Sequence, residues 1–135
     1  MSAPPRRLLD SYAILVLLAD EEGAARVADL LREAIETDVP LLVNEINVGE
    51  VYYIVARHRS LDDAERALDH LESLPVEVVG NTLDDVLDAA RVKAKHPLSY
   101  ADAFAVATAA RFDATVVTGD REFEAVETIV DVEWI

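Results

Sequence analysis

Asp10 closes the apolar run Leu8-Leu9, and Asp120 follows Val116-Val117-Thr118-Gly119, so each acid stands at the carboxyl end of a strand-like segment. Asp102 lies three residues after Ser99, at the start of an alanine-rich helical pattern. Glu50 borders an apolar helical arc made by Val48, Val51, Tyr52 and Val55, with Asn47 one turn before it. Each acid also has a purely structural reading. Aspartate is common in loops after strands, and Asp102 fits a capping box opened by Ser99. An acid beside a buried stripe is costly unless it is paired or metal-bound, which is the case for Glu50. Four carboxylates drawn into one crevice cannot all stay ionised without cations. The natural occupant is a hard divalent ion with oxygen ligands, Mg²⁺ or Mn²⁺. Such an ion neutralises phosphate oxygens and lowers the pKa of bound water, chemistry suited to phosphodiester hydrolysis.

These acids need elements to carry them. Apolar runs at Arg6–Asp10, Pro40–Val43, Val76–Val79, Ala114–Thr118 and Val130–Trp134 read as five strands. Between them lie helical patterns: one after Asp10, one over Glu22–Glu36, and one capped by Asn44 and running to about Arg57. Two more open at Ser60 and Thr82, each with an acid three residues later, and a last one runs from Ser99 through Arg111. Strand–helix alternation predicts a parallel sheet covered by helices on both faces. Ligands of such sheets bind beyond the carboxyl ends of the strands, where strand order reverses. Asp10 and Asp120 share that crevice if the first and fourth strands are neighbours. Gly49, in mid-helix, costs about 1 kcal/mol relative to alanine and suggests that something approaches it closely.

Composition limits the alternatives. At 135 residues and 52% hydrophobic the chain fits one domain, 1–135, with a core of its own. It has no cysteine, which excludes disulfides, thiolate metal sites and Cys nucleophiles. His58, His70 and His96 lack metal-ligand spacing and read as surface residues. Arg6 and Arg7 before an apolar stretch mimic a signal peptide, but Asp10 interrupts it and Asp20-Glu21-Glu22 stands where small cleavage-site residues belong. The longest uncharged run, Ser11–Ala19, is far below the ~20 residues of a membrane helix. A cytoplasmic protein with no membrane association is expected. The net charge of −15 argues against a surface that grips nucleic acid by its own charge. Lys93 and Lys95 are the only lysines among 12 bases, a balance that resembles salt-loving cytoplasmic proteins.

Four segments, in order, resemble the PIN domain family, specifically its VapC-type ribonuclease toxins: Leu8-Leu9-Asp10-Ser11, Asn47 to Tyr53, Leu98 to Ala105, and Val117 to Phe123. The resemblance implies a three-layer α/β/α sandwich with a five-stranded parallel sheet in the order 3-2-1-4-5. It implies an acidic quartet at Asp10, Glu50, Asp102 and Asp120, supported by the Thr118 hydroxyl. It further implies a metal-dependent endoribonuclease, with Asp10 and Asp102 holding the main Mg²⁺ or Mn²⁺ and Asp120 and Glu50 a second ion or its waters. A VapB-type antitoxin and a second copy of the chain are the implied partners, and RNA the substrate. Many relatives carry Asn two places after the first Asp; Tyr12 stands there, and no role is transferred to it. The competing functions are a PIN-like interaction module without catalysis and a chromosomal RNA-processing nuclease without an antitoxin. Aspartate-nucleophile phosphatases need a second Asp where Tyr12 stands, and phospho-receiver domains need a lysine after a late strand, which is missing here.

Overall fold

The computed structural model describes residues 5–135, so the first four residues of the expected domain lie outside the described part. The chain runs β1 (Arg7–Leu9), α1 (Ser11–Ala19), α2 (Ala24–Thr37), β2 (Leu41–Asn44), α3 (Glu45–His58) and α4 (Leu61–Glu72). It continues through β3 (Val76–Val79), α5 (Leu83–Lys95), α6 (Tyr100–Phe112), β4 (Thr115–Thr118), a 3-10 helix (Arg121–Val126) and β5 (Val132–Trp134). All four strand pairings are parallel, and the order is β3-β2-β1-β4-β5. This is the expected order. It makes β1 the central strand, flanked by β2 and β4, and puts the ends of β1 and β4 side by side.

Alternating side chains on the central strands feed two cores, one on each face. Leu8, Leu42 and Val116 pack with Ala89, Phe104, Val106 and Phe123 beneath α5, α6 and the 3-10 helix. Their neighbours Leu9, Leu41, Val43 and Val117 pack on the opposite face with Ile14, Val27, Leu30 and Val51 of α1, α2 and α3. Burial on both faces explains why these short strands read as unbroken apolar runs rather than alternating ones.

Several boundaries shift by one or two residues, β5 beginning at Val132 rather than Val130, and two of the shifts have a plain local reason. The second helix begins at Ala24 rather than Glu22, because Gly23 turns the chain at φ 100° immediately before it. β1 ends at Leu9, and Asp10 leaves the strand to cap α1. The 3-10 helix after Asp120 was not anticipated. At the carboxyl end of β2, Asn44 accepts from Ile46 N at 2.9 Å and donates to Asn81 Oδ1 and Thr108 Oγ1, each at 2.8 Å. That buried network ties the start of α3 to α6 and to the loop before α5.

Candidate active site

Asp10 is completely buried at the N-terminus of α1. One carboxylate oxygen, Oδ1, accepts from Ala13 N at 2.8 Å, satisfying an amide that the helix start leaves open. The other, Oδ2, accepts from Thr118 Oγ1 at 2.5 Å. Thr118, buried at the end of β4, also accepts from Asp120 N at 2.9 Å. A single hydroxyl therefore links the acid after β1 to the loop that carries the acid after β4. Burial pushes the Asp10 carboxyl up to about 7; the Thr118 hydroxyl and the Ala13 amide pull against this, and the charges of Asp120 and Glu50 add to it.

Asp102 sits in the first turn of α6 and is 6% exposed. Ser99 Oγ accepts from Asp102 N at 3.2 Å. The reciprocal half of a capping box forms at Thr82–Asp85 but not at Ser99–Asp102. Its pKa also rises to about 7, chiefly through burial, with the Ser99 hydroxyl opposing and Asp120, Asp10 and Glu50 contributing by repulsion. The carboxyl groups of Asp10 and Asp102 thus each feel Asp120 and Glu50, so the fold brings the four predicted acids to the same end of the sheet. Asp120 and Glu50 are half-buried at its rim.

Glu122 was missed. Carboxylate oxygens of Asp102, Asp120 and Glu122 lie within 4.8 Å of one another, one from each. Asp120 Oδ1 accepts from Glu122 N at 3.0 Å, and this turn into the 3-10 helix carries Glu122 back toward α6. The only signal in the sequence is an acid two residues after Asp120, and two-residue spacing on an unpredicted 3-10 turn carries little weight. Asn47, in the sequence only a neighbour of Glu50, takes a larger part in the fold. It is fully buried and donates through Nδ2 to Ser11 Oγ at 3.1 Å and to Ala101 O at 3.2 Å. It therefore joins the residue after Asp10 to the residue before Asp102, and its Oδ1 is buried without a partner among the described residues. Gly49 corrects an expectation: a side-chain carbon there would meet nothing within 4 Å, so no close approach accounts for it.

The donor set fits a divalent cation. It consists of hard oxygens, two of them on carboxyls whose ionisation burial and mutual repulsion oppose, and a doubly positive charge relieves both penalties. A cavity of about 520 Å³ opens elsewhere, lined by Leu15, Leu18, Ile54 and Val55 with His58 and His70 at its edge, and contains none of these acids.

The family model described as the PIN domain matches residues 7–129. The chain belongs to the PIN domain family. PIN domains are nuclease-type domains that generally use divalent metal, and the acids at the sheet's carboxyl edge agree with that chemistry. A comparison with curated proteins finds no sequence match. Among solved structures, this PIN domain is similar to DNA-bound VapBC from Salmonella typhimurium, with TM-score 0.75 and 16% identity over 96% of this chain and 98% of that one. It is also similar to VapBC2 from Rickettsia felis bound to a promoter DNA fragment, with TM-score 0.74, 14% identity, and 94% and 96% of the two chains covered. A third similar structure is Mycobacterium tuberculosis VapC20, a sarcin–ricin loop cleaving toxin, at TM-score 0.72, 18% identity, and 89% and 94% coverage. At these identities the likeness is one of fold.

Proposed function

We propose that residues 1–135 form one PIN domain that acts as a metal-dependent endoribonuclease, the VapC-type toxin of a toxin–antitoxin pair. The observation that carries this reading is the placement of two buried carboxyls, Asp10 and Asp102, both pushed up to about 7, beside Asp120, Glu50 and Glu122. Burying two acids beside further carboxylates is unfavourable for a protein that uses them only as structure.

In this reading Asp10 and Asp102 would hold the main ion, and Asp120 and Glu50, joined by Glu122, would serve a second ion or its waters. Mg²⁺ or Mn²⁺ held there would supply positive charge to phosphate oxygens and make water a better nucleophile at neutral pH. Thr118 holds one oxygen of Asp10 and the Asp120 amide, fixing both acids before substrate arrives. Glu50, half-buried at the rim, orients the attacking water and accepts its proton. The water oxygen bonds to phosphorus as its proton passes to Glu50, the P–O bond to one neighbouring nucleoside breaks, and the departing oxygen takes a proton from solvent.

The similarity to VapBC complexes supports a VapB-type antitoxin as partner. The family resemblance adds a homodimer and a cytoplasmic location; among the described residues no helix is long and apolar enough to cross a membrane. Asp102→Ala tests the site. Purified wild type should cut RNA in Mg²⁺ or Mn²⁺ and stop in chelator, whereas the variant should be folded and inactive. A variant that cuts at the wild-type rate would overturn the assignment.

A further inference from the structure

Position 12, two residues after Asp10, takes no part in the machinery described above. Tyr12 lies in the first turn of α1, is 40% exposed, and its ring reaches across to the loop after β4. There it lies against Gly119, between Thr118 and Asp120: a methyl group at position 119 would stand 2.3 Å from Cε1, 2.7 Å from Cζ and 3.0 Å from Oη. With the ring where it stands, any side chain at position 119 would collide with it. The edge of the ring thus lies against the loop that carries Asp120, while the residue stays partly open to solvent. Its hydroxyl makes no hydrogen bond among the described residues, so the fold makes no use of its polar end.

The surface gives a reason to look for uncharged affinity. Net charge is −15, and the base that follows Asp120 is engaged: Arg121 pairs with Glu124 at 3.1 Å. The other exposed tyrosines are engaged too: Arg57 lies 5.3 Å over the Tyr53 ring, and Tyr100 leans on Phe104 at 5.0 Å. Nucleobases stack on tyrosine faces without needing positive charge.

We propose, resting on the ribonuclease reading, that Tyr12 is the platform on which a base beside the scissile phosphate stacks. Steady-state cleavage of an unstructured RNA oligonucleotide in Mn²⁺ tests it. Tyr12→Ala should raise KM about tenfold with kcat within about twofold, Tyr12→Phe should match wild type, and Tyr12→Leu should resemble Tyr12→Ala. An unchanged KM in Tyr12→Ala overturns the proposal. So does a wild-type KM in Tyr12→Leu, which would show that bulk over Gly119 suffices, or a loss confined to kcat, which would assign the ring to holding the Asp120 loop. Binding of the same oligonucleotide to Asp102→Ala protein, with and without Tyr12→Ala, separates the two readings. If wild type never cuts but the second substitution weakens binding about tenfold, the platform stands and the ribonuclease reading falls. If neither cutting nor Tyr12-dependent binding is seen, both fall.

Discussion

Asp10 and Asp102 begin from the ordinary aspartate value of 3.8 and reach about 7 in the folded chain. Between those values the native state holds protons that the unfolded state has already released, so stability falls as pH rises. The contribution is fully present below about 4 and is lost as pH passes through about 7. Asp63 and Asp85 are shifted the other way by Arg66 and Arg111, and their effect lies below the ordinary carboxylate value, outside this window. In chelator, the melting temperature should therefore drop by at least about 4 °C between pH 5 and pH 8. The double variant Asp10→Asn, Asp102→Asn should flatten that slope, as read by calorimetry. A wild-type melting temperature that climbs across the window would contradict the account. Added Mn²⁺ should restore stability most at pH 8, where protons no longer compete for the carboxylates.

At the level of elements, sequence patterns located the carriers of the acids well but misjudged one of their glycines. Asn44, Ser60, Thr82 and Ser99 each cap the helix they were expected to open. Gly49 lies mid-helix in α3, exposed, with open space where a side chain would project. Gly49→Ala should thus stabilise the protein by about 1 kcal/mol, measured by urea unfolding at constant m-value. Destabilisation would reveal a contact at that position. Helices α1, α2 and α6 end on Asp20, Asp38 and Asp113, all in the left-handed region at φ 52–55°. Aspartate tolerates this conformation better than most side chains, although its charge opposes the helix dipole there. These ends show part of the acidity being spent on turns, away from the candidate site.

Across the whole molecule, four of the negative charges belong to the predicted quartet, which leaves −11 spread elsewhere. That field repels RNA at low ionic strength, while at molar salt the screening length falls to about 3 Å. Cleavage should accordingly be weak in dilute buffer and rise with added KCl before direct phosphate contacts weaken. Activity that declines steadily from the lowest salt upward would remove the argument.

The sequence by itself determined the five strands and six α-helices, though not the 3-10 helix, and pointed to Asp10, Glu50, Asp102 and Asp120, because strand runs, caps and acids at segment ends are local patterns. It also carried the strand order, through resemblance across four separated segments. Only the tertiary structure placed Glu122 beside Asp102, joined Ser11 to Ala101 through Asn47, and laid Tyr12 over Gly119. It also showed that Gly49 has no close neighbour. Each of those outcomes depends on distances between segments far apart in the chain, and local periodicity carries no information about such distances. Parallel pairing of β1 with β4 closes the distance that Tyr12 spans, bringing the residues around position 10 against those around position 118.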